Sequence, residues 1–123
     1  MKRILLAVNL VFLIIACSPP AKTLENSKNF TWVDKASWQK IQAENPKTLM
    51  VDVRTEAEWK EGHLEGALFI PMSELQARIS EIPKDIPVLI YCRSGNRSTV
   101  AANFLASQGY KNLYNLRGGI VVW

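Results

Sequence analysis

From Phe30 onward, short apolar runs alternate with stretches whose apolar positions recur every three or four residues, joined by a few polar, Gly or Pro residues. Alternation of strand-like and helix-like segments predicts an α/β domain. Phe30–Val33 reads as a short strand, and Asp34 or Ser37 is placed to cap a helix over Trp38–Glu44 that Asn45-Pro46 ends. Thr48–Val51 and Val88–Tyr91 are continuous apolar runs, as expected of strands covered on both faces. Thr55-Glu56-Ala57-Glu58 is a capping-box pattern that opens a short helix through Lys60, with Glu56, Glu58, Lys60 and Glu61 as its solvated face. Ala67–Ile70 is another short strand, and a second capping-box pattern at Ser73-Glu74-Leu75-Gln76 predicts a helix to about Ile79. Arg97–Gln108 carries the apolar stripe Val100, Ala101, Phe104 and Leu105, with Gly109 at its C-terminal stop, and Leu113–Leu116 is the last strand. The four Trp residues are read as core packing.

The pattern before Phe30 is different. Met1-Lys2-Arg3 precedes an apolar run from Ile4 to Ala16 broken only by Asn9, and Cys17 follows. About thirteen apolar residues after a basic start suit a signal peptide better than a membrane span. Ile14-Ile15-Ala16-Cys17 resembles a bacterial lipobox, which implies that residues 1–16 are removed and that Cys17 carries lipid. Several acyl chains on one residue anchor a protein stably. Residues 17–29 then form the lipidated Cys and a flexible tether, and 30–123 the folded domain. The expected location is the periplasm or cell envelope, membrane-anchored.

Composition narrows the function. With 123 residues, 48% hydrophobic and 21% charged, the chain has room for one core and is neither disordered nor a disulfide scaffold. Two Cys and one His leave no structural zinc cluster, so no metal is expected. The net charge of +4 falls to +2 once Lys2 and Arg3 are removed, and the remaining basic residues are interspersed with acids, so no nucleic-acid partner is expected. Lipidation of Cys17 leaves Cys92 as the one free thiol, in a compartment where thiols usually pair.

Ligands of parallel sheets gather beyond the carboxyl ends of the strands. Here one apolar strand runs into Asp52-Val53-Arg54, and another into Cys92-Arg93-Ser94-Gly95-Asn96-Arg97, just before the strongest helix. Ser, Gly and Asn allow the turns in which successive N–H groups point inward as an anion nest. The helix N-terminus and the cations Arg93 and Arg97 add to the same field. An unperturbed thiol is only about 3% ionised at pH 7. Making the thiolate the majority species takes roughly 2.7 kcal/mol of differential stabilisation. The alternative is that Cys92 packs as a small buried hydrophobe.

These residues carry a family resemblance. Asp52-Val53-Arg54, Gly62-His63-Leu64-Glu65-Gly66-Ala67, Ile70-Pro71, Tyr91 to Ser98, and Leu116-Arg117-Gly118-Gly119-Ile120 to Trp123 resemble the rhodanese (thiosulfate sulfurtransferase) domain, in the family's order. The resemblance implies a central parallel sheet flanked by helices on both faces. It also implies transfer of sulfane sulfur from a donor such as thiosulfate to a thiophilic acceptor, cyanide or a thiol, through a Cys92 persulfide and with no further cofactor. Related phosphatases use Cys-x5-Arg, whereas Cys92 to Arg97 is Cys-x4-Arg, a smaller ring that favours a persulfide sulfur over a phosphate.

The expected roles follow. Cys92 is the nucleophile, and the amides of Arg93, Ser94, Gly95, Asn96, Arg97 and Ser98 stabilise charged sulfur. Arg93 matches a donor-binding position of the family, and Arg97 either binds the anion or braces the loop against a carboxylate. Asp52, Arg54 and His63 are read as structural support for the rim, with substrate binding the alternative for Arg54. The partners expected are small sulfur-containing anions, thiol acceptors and the membrane, with the chain a monomer. Two competing readings are a non-catalytic or partner-specific persulfide carrier and, less favoured, a Cys-loop phosphatase.

Overall fold

Five strands, Thr31–Val33 (β1), Leu49–Asp52 (β2), Leu68–Phe69 (β3), Val88–Tyr91 (β4) and Leu113–Leu116 (β5), form one sheet in the order β1-β5-β4-β2-β3. Every neighbouring pair is parallel. The computed structural model describes residues 28–123. The expectations for the signal segment, for Cys17 and for most of the tether lie outside the described residues.

The apolar runs explain the order. β4 is buried along its whole length because it sits mid-sheet with both faces covered. Its side chains alternate between two cores. Val88, Ile90 and Cys92 join a cluster with Ala101, Ala102 and Leu105 of the helix Asn96–Ser107, whereas Leu89 and Tyr91 join Trp38 of the helix Lys35–Glu44. These two helices, hereafter α3 and α1, lie on opposite faces of the sheet, as the resemblance implies. A third helix, Glu56–Glu61 (α2), follows β2.

Local signals fix the helix ends. Asp34, not Ser37, caps α1: its Oδ1 accepts the Ser37 N–H at 2.8 Å, and the helix starts at Lys35. Thr55 and Glu58 complete a capping box on α2. Gly109, with φ of 92°, takes the left-handed conformation that ends α3.

The helix expected over Ser73–Ile79 is absent. The chain makes one 3-10 turn at Met72–Glu74 and another at Ile79–Glu81, with Arg78 out of helical conformation between them. Pro71 and Pro83 confine this stretch, and it must seat both Leu75 and Ile82 in the core. A helix this short has little stability of its own, so packing overrides the local pattern. The strand expected over Ala67–Ile70 shrinks to Leu68–Phe69 at the sheet's edge. Of the four Trp residues only Trp38 is fully buried; Trp32, Trp59 and Trp123 are partly exposed.

The topology also places the site. From β2 the chain proceeds outward to β3, whereas from β4 it proceeds the other way to β5, so the strand order reverses between β2 and β4. The carboxyl ends of these two neighbours carry Asp52 and Cys92.

The α3 seam generates a prediction. Leu105 is fully buried and Val100 is 60% exposed, although both belong to the apolar stripe read from the sequence. Leu105→Ala is expected to lower unfolding free energy by about 3 kcal/mol in urea titration, and Val100→Ala to change it by less than about 0.5 kcal/mol.

Candidate active site

The loop between β4 and α3 wraps around the Cys92 sulfur. The Gly95 N–H donates to Sγ at 3.1 Å, and the Ser98 hydroxyl lies 3.4 Å from it. Gly95 has φ of 109°, a conformation that costs glycine little and any other residue much more. Burial opposes ionisation of the thiol. Against it stand the Ser98 hydroxyl and N–H and the N–H groups of Gly95 and Ser94, and together they hold the thiol below its ordinary value.

The Gly118-Gly119 pair braces this loop from behind. A methyl group on Gly119 would overlap the Arg93 carbonyl, so the two backbones meet at a distance only glycine permits. Just beyond it, the Ile120 N–H donates to the Cys92 carbonyl at 2.9 Å, and the Val121 N–H to the Arg93 carbonyl at 3.3 Å.

Two ion pairs support the rim. Asp52 is fully buried and receives the Arg54 guanidinium through Nε at 3.0 Å and Nη2 at 2.8 Å, and also the Arg54 N–H at 2.9 Å. Arg54 Nη2 donates onward to the Gly62 carbonyl at 2.7 Å, tying the end of β2 to the end of α2. Asp52 and Arg54 thus satisfy each other at the rim. Next to them, the Tyr91 hydroxyl accepts the Leu64 N–H at 3.1 Å, and burial pushes that phenol well above its ordinary range.

The second pair joins helices. Arg97 Nη1 and Nη2 donate to the two Glu58 oxygens at 2.7 and 2.9 Å. In this structure the Arg97 guanidinium is engaged with a carboxylate. Glu58 is therefore no part of a solvated face: the Arg97 fork on it, with the Thr55 cap, brings its carboxyl down to about 2. The solvated-face reading holds for Glu56, Lys60 and Glu61, which are exposed.

The remaining expected residues spread out. Arg93, Ser94 and Asn96 are exposed at the loop's surface, and the Arg93 guanidinium makes no ion pair among the described residues. His63 stacks on Trp59 with ring centroids 3.4 Å apart, and its Nδ1 lies 3.0 Å from the Trp59 carbonyl. It belongs to α2's end rather than to the sulfur. Cys92 itself is only 1% exposed, so the alternative of a packed hydrophobe describes its apolar side while the amide cradle describes its polar side. Among the described residues no cluster of three or more His, Cys, Asp or Glu could hold a metal ion.

A family model for the rhodanese-like domain matches residues 35–123. The chain belongs to the rhodanese-like domain family. A sulfurtransferase from Allochromatium vinosum is 47% identical to it over 91 residues, 74% of this chain and 85% of that protein. The thiosulfate sulfurtransferase GlpE of Coxiella burnetii is 33% identical over 87 residues, 71% of this chain and 79% of GlpE. Among solved structures, a rhodanese-like domain protein from Staphylococcus aureus matches with a TM-score of 0.68 at 26% identity, covering 75% of this chain and 89% of its own. A rhodanese-related protein from Thermoplasma volcanium matches at 0.64 and 30% identity, covering 74% and 87%.

Two residues of this rhodanese-like site escaped the sequence. Glu58 looked like any charged helix residue, and only the fold brings it to Arg97. Asn115 did leave a signal, a polar residue inside the strand Leu113–Leu116, and in the structure it is fully buried against Ser98 at 2.7 Å.

The Glu58–Arg97 pair gives a pH dependence with a definite sign. A carboxyl held below its ordinary value of 4.5 contributes stability that is complete above that value and is lost as pH falls toward about 2. For a partly exposed pair the contribution is about 1 kcal/mol. Glu58→Gln is therefore expected to be less stable than the parent by about that amount at pH 6 and equal to it near pH 2, read from urea midpoints at each pH.

Proposed function

We propose that this chain is a sulfurtransferase that takes sulfane sulfur from thiosulfate or a related donor onto Cys92 and passes it to a thiophilic acceptor. The observation carrying the reading is the Cys92 sulfur held at the mouth of α3 with a loop N–H 3.1 Å away, in a family that includes named sulfurtransferases. The Cys92 thiolate attacks the outer sulfur of thiosulfate; the sulfur–sulfur bond breaks and sulfite leaves with the electron pair. The persulfide's outer sulfur carries the charge, and the loop amides stabilise it as an oxyanion hole stabilises oxygen. Cyanide or a thiolate then attacks that outer sulfur and the Cys92 thiolate returns. Arg93, exposed and unpaired among the described residues, binds the sulfonate end of the donor. Neither half-reaction abstracts a proton once the thiolate exists, so His63 is not a general base.

A second reading rests on one observation, the 1% exposure of Cys92. It favours a carrier whose sulfur arrives from, and leaves to, a partner protein that opens the loop. The N-terminal sequence supports a setting for either: export, removal of residues 1–16, lipid on Cys17 and a domain tethered at the cell envelope through residues 18–29.

Incubation of the full chain with thiosulfate is expected to add one sulfur mass to the Cys92 peptide, and cyanide to remove it as thiocyanate. A folded protein that gains no sulfur from thiosulfate, but gains it from a protein persulfide, selects the carrier reading; gain from neither rejects both. Hydrolysis of an aryl phosphate that Cys92→Ser abolishes would instead revive the phosphatase. Expression in a bacterium fed labelled palmitate is expected to label the parent chain and not Cys17→Ser.

A further inference from the structure

Asn115 is the polar residue at a central position of β5, level with Ile90 of β4 and Trp32 of β1, and it is fully buried. Such a group is retained in a core only when its hydrogen bonds are satisfied. Its partners form a chain that ends at the Cys92 sulfur, and the direction of every proton in that chain follows from one acceptor-only group. The Gly95 carbonyl accepts the Thr99 hydroxyl at 2.7 Å. Thr99 Oγ1 has one proton, so toward Asn115 it can only accept, and the atom 3.0 Å away is the amide Nδ2. Asn115 Oδ1 therefore faces Ser98. That oxygen carries no hydrogen, so the 2.7 Å contact requires the Ser98 hydroxyl to donate to it. Ser98 Oγ also lies 3.1 Å from the Gly95 carbonyl and 3.4 Å from Cys92 Sγ, and its single proton cannot serve all three. In this arrangement Ser98 turns a lone pair to the sulfur, which as a thiol donates to it.

We propose that Asn115 is a positioning residue of this site: it competes with the Cys92 sulfur for the one Ser98 proton, and Thr99 locks its amide in the competing orientation. When the thiol proton leaves for solvent, the Ser98 hydroxyl must give up its 2.7 Å contact and swing to the sulfur 3.4 Å away. Asn115 thus restrains the nucleophile. The other titratable and charged groups on elements around Cys92 are Asp52 and Arg54 after β2, Glu58 on α2, Tyr91 on β4, Arg93 in the loop, Arg97 on α3 and Arg117 after β5. Arg54 and Arg97 are committed to Asp52 and Glu58, and none of these charged groups is a hydrogen-bond partner of Ser98.

The proposal rests on reading Cys92 as the nucleophile, but its test reads ionisation and not sulfur transfer, so the two fail separately. Alkylation of the Cys92 peptide by iodoacetamide is followed against pH in the full chain by mass spectrometry. Asn115→Leu removes the competing acceptor, and Thr99→Val unlocks the amide. Each is expected to move the profile's midpoint to lower pH, with alkylation below the midpoint about three- to tenfold faster and the high-pH plateau unchanged. In a Ser98→Ala background neither change is expected to move the midpoint. A loosened structure would raise the plateau and leave the midpoint in place, which overturns the proposal. So does a midpoint that rises in the single variants, or one that falls equally without Ser98. Thr99→Val is nearly isosteric and carries the test should Asn115→Leu not fold.

Discussion

The hydrogen bond from the Gly95 N–H to the Cys92 sulfur is the interaction that organises the rest of this domain's carboxyl rim. It exists because β4 ends just before Cys92 in the sheet's interior, because Gly95 accepts a φ of 109°, and because α3 begins at the residue after Gly95. Each of these has its own support. The sheet order brings β4 beside β2, the Gly119 backbone presses against Arg93 where no side chain would fit, and the Arg97–Glu58 fork ties the start of α3 to α2. A loop that would otherwise sample many turns is held in one, with its dipoles aimed before any charge develops.

Burial and ionisation pull against each other at this site. Sealing Cys92 into the α3-side core makes its charged form harder to reach, while main-chain dipoles and the Ser98 hydroxyl lower that cost. The near-complete burial of Cys92 also leaves its sulfur little open surface, although Arg93, Ser94 and Asn96 of the same loop are exposed. A core position fixes the nucleophile's geometry, and the same packing limits access to it.

Much of this was legible from spacing. The apolar runs gave four of the five strands nearly to the residue, and Cys92 at the end of one run, followed by Gly and a helix, pointed to the rim. What escaped has a common cause. The stretch after Pro71 reads as a helix because Ser73-Glu74-Leu75-Gln76 matches a capping box, but its two prolines and its two core anchors force separate 3-10 turns. Glu58 and Asn115 act across 39 and 17 residues of sequence, to Arg97 and Ser98, and one-dimensional patterns carry no information about such contacts. Trp59, read as core, instead stacks between His63 and Phe69 at the surface, which a composition argument cannot distinguish from burial.

The central claim is that the folded loop makes anionic sulfur easier to form than it is in the unfolded chain. The direct measurement is the ultraviolet absorbance of the thiolate against pH, taken as the difference between the parent chain and Cys92→Ser, in buffer and again in concentrated urea. The account expects the folded protein to ionise at lower pH than the unfolded one. Ionisation at the same or a higher pH when folded would contradict it, leaving Cys92 a packed hydrophobe that the loop merely covers.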